Sequence, residues 1–256
     1  MQNTQLFNLT DRVALITGAG QHIGKAFAQA LGSFGAKIAI IDINAEKANA
    51  VKTELEQNNC NVEVIIADVT NSKDINNALD IILRKWGRLD IAFNNVGICY
   101  GHPAEEIPIE DWNNIIQTNL NSTFYCCQQE ANIMKKQGYG KIINTASVAG
   151  IIIPRPQKIT AYNTAKAAII HLTRSLAAEW AEFGIRVNAI SPGVVRTPLL
   201  DVEEMQPWIK QWHQQIPLNR LAEFEDLKGA AIFLASGASD YMTGHNLIVD
   251  GGHSLW

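Results

Sequence analysis

Val13-Ala14-Leu15-Ile16-Thr17-Gly18-Ala19-Gly20-Gln21-His22-Ile23-Gly24-Lys25-Ala26 reads as an apolar strand, a glycine-rich turn and the opening of a helix. The run from Val13 to Thr17 shows no polar alternation, as expected for a strand covered on both faces. Glycine permits positive φ and lets backbone approach a ligand closely, and the free amides at a helix start offer a site for a diphosphate. A glycine cluster alone is weak evidence. Its weight comes from its position, directly after the first apolar strand of an alternating chain.

Outward from this stretch the same rhythm repeats. Apolar runs at Lys37 to Asp42, Val62 to Asp68, Leu89 to Asn95, Lys141 to Ser147, Arg186 to Ser191 and Asn246 to Asp250 alternate with helix-like segments. The helices are expected at Ile23 to Phe34, Ala45 to Gln57, Ser72 to Lys85, Ile109 to Lys136, Ala161 to Glu182 and Glu223 to Ala235. Repeated βαβ units of this kind predict an α/β fold, a Rossmann-type doubly wound parallel sheet with helices on both faces. No linker or repeat divides the chain, so residues 1–256 are expected to form a single domain. The one long irregular stretch, Pro192 to Leu218, carries Pro198, Pro207 and Pro217 around a possible short helix from Val202 to Gln214. It reads as a substrate lid at about 193–218.

Composition narrows the function classes. The chain has 256 residues, 47% of them hydrophobic and 18% charged, enough apolar material for a sizeable core. A formal net charge of −4 and no basic run argue against nucleic acid as a partner. Cys60, Cys99, Cys126 and Cys127 fit no metal-ligand spacing, and neighbouring cysteines rarely bridge without strain. They read as reduced, mostly buried thiols in a cytoplasmic protein, and no metal is expected. Met1 to Thr10 lacks the features of a signal peptide, and no apolar stretch approaches the ~20 residues needed to cross a membrane.

Chemistry is suggested further along. Tyr162 and Lys166 lie one helical turn apart on one face. A phenol ionises near pH ~10, and a fixed neighbouring cation lowers that value, making it usable as an acid or base. An ordinary solvated helix face is the competing explanation for the pair. Asp42, ending the second strand, could accept hydrogen bonds from an adenosine ribose and repel a 2′-phosphate, which favours NAD over NADP. Alternatively it caps the next helix, a role Asn44 could equally fill. Asp68 ends the third run, and Asn94-Asn95-Val96-Gly97 closes the fourth, where glycine again admits a close ligand.

Taken together these residues resemble the short-chain dehydrogenase/reductase family, NAD-type, across essentially the whole chain. Its TGxxxGxG signature stands here as Thr17 to Gly24, and its NNAG element as Asn94 to Gly97. The resemblance implies Asn119, Ser147, Tyr162 and Lys166 as the catalytic set. It also implies cofactor contacts at Gly18, Gln21, His22, Ile23, Gly24, Asp42, Asp68, Val69, Asn95, Gly97, Tyr162, Lys166, Pro192, Gly193, Val195 and Thr197. Asn119 would anchor a water in a proton relay reaching Lys166. A seven-stranded sheet in the order 3-2-1-4-5-6-7 follows, assembled as a homo-oligomer, with a tetramer favoured over a dimer. Two departures stand out. His22 replaces the signature's middle glycine, so an imidazole either leans over a bound diphosphate or points into solvent. The Ser147 to Tyr162 segment is longer than is usual, making Ile151 to Lys158 an enlarged loop expected to shape the pocket. That loop and Trp208, Trp212 and His213 look similar to polyol and ketose dehydrogenases, although the two tryptophans could simply pack the lid. The implied reaction is NAD-dependent interconversion of a secondary alcohol and a ketone on a hydroxylated small molecule. A 3-oxoacyl-[acyl-carrier-protein] reductase and a non-catalytic NAD-binding regulatory protein are the alternatives.

Overall fold

In the computed structural model the described residues are 3–200 and 202–256; Met1, Gln2 and Asp201 of the sequence expectations lie outside them. Strands β1 (Val13–Thr17), β2 (Lys37–Asp42), β3 (Val62–Ile66), β4 (Ile91–Asn94), β5 (Gly140–Thr145), β6 (Ile185–Pro192) and β7 (Asn246–Val249) form one parallel sheet in the order β3-β2-β1-β4-β5-β6-β7. The order reverses between β1 and β4, which opens a crevice at the carboxyl ends of those strands.

Period-2 alternation sends the strand side chains to two cores. Ala14, Ile16, Ile38, Ile40, Ile91 and Phe93 meet helices α1 (His22–Ser33), α2 (Ala45–Gln57) and α8 (Phe224–Ala235) on one face. Val13, Leu15, Ala39, Ile41 and Ala92 meet α3 (Ser72–Trp86), α5 (Ser122–Gln137) and α6 (Thr160–Trp180) on the other. Helix starts follow local chemistry. Asn44 caps α2 by accepting from Lys47 N at 2.9 Å, so the capping role falls to Asn44 and leaves Asp42 for other partners.

Most boundaries shift by one or two residues, and three differences have clear physical reasons. The helix expected from Ile109 to Lys136 is α4 (Ile109–Ile115), a π-helical turn (Ile116–Asn121) and α5 in succession. Such π-turns often mark functional positions, and this one carries Asn119. The third strand ends at Ile66 rather than Asp68, whose carboxylate instead accepts from Thr70 N at 2.8 Å in a local turn. In the irregular stretch, α7 (Gln206–Gln215) starts later than Val202, and Pro207 sits in its first turn, where no amide partner is needed.

Behind the carboxyl ends of β4 and β5 lies a polar cluster sealed from water. Asn94 Nδ2 donates to Glu130 Oε2 and to Asn144 Oδ1, both at 3.1 Å, and Asn144 Nδ2 donates to Thr173 Oγ1 at 3.1 Å. Burial pushes the Glu130 carboxyl up to about 8. The folded protein therefore keeps this proton up to about pH 8, whereas an ordinary carboxyl loses it near 4.5, so stability falls as pH rises through that window. Replacing Glu130 with Gln is expected to raise the melting temperature at pH 8, by ~2–4 °C for each kcal/mol relieved, with the gain vanishing below pH 4.5. Calorimetric melts across pH check this; a gain independent of pH would contradict it.

Candidate active site

The crevice is a cleft of about 640 Å³ running from the glycine turn to the start of α6. At its first end Gly18 takes φ +64, and a Cβ added at Gly24 would lie 2.3 Å from the Gly18 carbonyl oxygen, so the turn closes onto α1 only through glycine. Asn95 locks this turn to β4. Its amide donates to Thr17 Oγ1 at 2.9 Å and its Nδ2 to Thr17 O at 3.2 Å. Asp42 lines the same end, accepting from Gly20 N at 2.8 Å and Asn44 N at 2.9 Å. Each of its oxygens retains a further lone pair for a ligand hydroxyl. These features fit the adenosine and diphosphate parts of a nicotinamide dinucleotide.

At the other end β5 delivers Ser147 and α6 delivers Tyr162 and Lys166. Ser147 is buried and lines the cleft together with Tyr162, and its Oγ accepts from Ala149 N at 3.1 Å. Lys166 is 3% exposed; its ammonium donates to Thr145 O at 2.7 Å and stands 5.5 Å from the centre of the Tyr162 ring. The expected lowering of the phenol by this cation is corrected. Burial pushes Tyr162 up to about 12, with only Ser147 pulling it down, and burial draws Lys166 down to about 8. Desolvation, rather than either group's effect on the other, sets both shifts. A phenol that holds its proton in this way is set up as an acid.

Asn119 is fully buried and does not line the cleft. Its Oδ1 accepts from Ile98 N at 2.7 Å and its Nδ2 donates to Ile98 O at 2.8 Å, so its side chain fixes the exit of β4. The two ends of the cleft meet at Gly97, where an added Cβ would lie 3.1 Å from Asn119 Oδ1 and 3.4 Å from Lys166 Nζ.

Gln21, His22, Ile23, Asp68, Val69, Pro192, Gly193 and Thr197 all line the cleft, as the sequence suggests. Gly24 and Val195 do not: Gly24 lies beneath the turn, and Val195 packs into the core while its backbone bridges Ala222. His22 takes φ +51, and its half-buried ring stacks on Phe224, with centroids 6.0 Å apart, rather than pointing into solvent. The enlarged loop and the lid tryptophans do not line the cleft. Trp212 is buried and donates to Arg155 O at 3.0 Å, with Trp208 edge-on to it, so α7 packs on the loop. Cys99, Tyr100, Asn114 and Thr118 line the cleft unannounced. Asn114 donates to Tyr100 Oη at 3.1 Å and accepts from Thr118 Oγ1 at 3.3 Å. Asn114 and Thr118 are four apart, just before Asn119, a spacing that could have signalled them. Cys126 and Cys127 are buried as expected, but Cys99 is exposed.

A family model described as enoyl-(acyl carrier protein) reductase matches residues 18–254. A short-chain type dehydrogenase/reductase from Mycobacterium marinum superposes with a TM-score of 0.94 at 38% identity, covering 98% of this chain and 99% of that one. The chain belongs to the short-chain dehydrogenase/reductase family. It is 39% identical to galactitol 2-dehydrogenase of Rhizobium johnstonii, over 100% of both proteins. It is 35% identical to the NADP-dependent mannitol dehydrogenase of Hypocrea jecorina, over 97% of this chain and 94% of that protein. As a member of this family the chain is an oxidoreductase acting on CH–OH groups. Among the described residues no helix is long and apolar enough to cross a membrane.

Proposed function

We propose that this protein interconverts a secondary alcohol and a ketone with NAD, acting on a polyol- or ketose-type substrate. The observation that carries the reading is the convergence of Ser147, Tyr162 and Lys166 at one end of a cleft whose other end is a glycine cradle faced by Asp42. Gly18, Gln21, His22 and Ile23 would hold the diphosphate, with Gly24 beneath the turn letting it close, and Pro192, Gly193 and Thr197 would line the facing wall, their loop tied down by the bridge of Val195 to Ala222. Asp42, Asp68 and Val69 would hold the adenosine, and Asn95 and Gly97 the middle of the cofactor. A nicotinamide ring bound at the far end supplies or accepts the hydride. Ser147 holds the substrate oxygen by its hydroxyl. Tyr162 gives its proton to that oxygen when a ketone is reduced and takes one back when an alcohol is oxidised. Lys166 offers its remaining ammonium N–H groups to the cofactor ribose, and Asn119 keeps Ile98 and Gly97 in place beside it.

Asp42 supports NAD, because a carboxylate at the end of β2 repels a 2′-phosphate. The hydrogen-bonded row of Tyr100, Asn114 and Thr118 suits a hydroxylated ligand, since each buried hydroxyl requires a partner. The galactitol and mannitol enzymes among its relatives point the same way. We further take the chain to be one domain with a lid at about 193–218, working as a cytoplasmic homo-oligomer, most simply a tetramer.

Absorbance at 340 nm with sugar alcohols, ketoses and acyl thioesters, each with NAD(H) and NADP(H), tests this. Turnover of polyols or ketoses with NAD is expected. Turnover of acyl thioesters alone, or binding without turnover, would contradict the reading. Tyr162→Phe is expected to lose roughly 10²–10⁴-fold in kcat while still binding NAD. Near-unchanged turnover would remove Tyr162 from the chemistry.

A further inference from the structure

His22 stands where the family signature has glycine. Its φ of +51 is uncommon for a residue with a Cβ, and such outliers point to function. The side chain stands between two cavities. One is the cleft; the other, about 540 Å³, lies outside it between α1, α2 and α8, and Gln21 and His22 line both. The ring is held there by Phe224, the first residue of α8, with planes inclined by 26°. Pro198, one residue after cleft-lining Thr197, lines the outer cavity.

We propose that His22 is a ligand of the cofactor diphosphate, its imidazole capping the phosphates from the α8 side and taking up a proton as they bind. This rests on the dinucleotide reading of the cleft. The charged groups around the ring have other partners. Lys47 of α2 donates to Gln21 Oε1 at 2.6 Å, and Lys25 of α1 pairs with Glu54 of α2 at 2.6 Å. Asp42 is bound to backbone amides, and Glu225 of α8 bonds Lys228 at 2.9 Å. In the free protein burial, and then Lys47, hold the imidazole below its ordinary value of 6.5, so it is neutral at pH 7. A diphosphate anion beside it reverses the balance, because an opposite charge at close range favours the protonated ring. The imidazolium then donates a charge-assisted hydrogen bond, adding to the amides at the start of α1. Affinity for the diphosphate must rise as pH falls through the titration of the bound state.

The test is calorimetric titration of the full-length protein with ADP-ribose between pH 5.5 and 7.5, in buffers of different ionisation enthalpy, with adenosine as a control lacking phosphate. This window lies below the titration of Lys166. Wild type is expected to take up protons on binding ADP-ribose and to lose up to about tenfold in affinity across the window, the change that one unit of pKa shift on binding produces. Adenosine should show neither effect. His22→Asn, which tolerates positive φ, is expected to abolish proton uptake and flatten the profile. Phe224→Leu keeps the imidazole but exposes it, so the midpoint of uptake should move to higher pH. Binding of ADP-ribose without proton uptake, uptake retained in His22→Asn, or an unmoved midpoint in Phe224→Leu would overturn the proposal while leaving the dinucleotide reading intact. Failure of folded wild type to bind ADP-ribose at any pH would overturn both.

Discussion

A lysine ammonium sealed inside the protein is the constraint around which the site is organised. Lys166 donates to the carbonyl of Thr145 at 2.7 Å and is almost entirely removed from water. A cation in such a place is costly unless its donors are met, so the surrounding backbone has to sit close and in register. Glycines allow that approach twice. A Cβ at Gly97 would crowd Asn119 and the ammonium, and one at Gly150 would lie 2.7 Å from the Lys166 carbonyl carbon. The parallel sheet delivers Thr145 at the end of β5 and Gly97 three residues past the end of the adjacent β4, and the first turns of α6 deliver Tyr162 and Lys166.

The electrostatics follow from the same enclosure. Tyr162 and Lys166 are displaced in opposite directions, to about 12 and about 8, because low polarity disfavours the charged form of each. A neutral phenol beside Ser147 is a proton donor in waiting. At the far end the glycine turn and Asp42 present backbone and a carboxylate fixed in direction, so the proposed recognition and chemistry fall at opposite ends of one cleft. His22 adds to the cradle a side chain where glycine would leave bare backbone.

Much of this was legible in the chain. The strands stood out because parallel strands buried on both faces are continuous apolar runs, and the boundaries of β1, β2 and α2 agree with the sequence reading. The Tyr162–Lys166 pair is legible because four-residue spacing on one helix survives folding, whereas Ser147 and Asn119 enter through the family resemblance. The π-turn at Asn119 was not, since one extra residue in a turn leaves the hydrophobic pattern nearly unchanged. The bonds from Asn119 to Ile98 depend on that turn and were hidden with it. Cys99, Tyr100 and Asn114 are not legible in the chain, because their convergence depends on how the β4 exit packs against α4. Burial reversed the expected shift of Tyr162 for a similar reason, as desolvation is a property of the packed pocket and not of residue spacing. The lid tryptophans went to packing, the alternative already open in the sequence.

The most direct measurement is a crystal structure of the protein with NAD and a polyol. The account requires the Tyr162 hydroxyl and Ser147 Oγ to lie within hydrogen-bond reach of the same substrate oxygen, with the Lys166 ammonium on the cofactor ribose. A phenol turned away from that oxygen, or a dinucleotide seated elsewhere than between the glycine turn and Asp42, would contradict it.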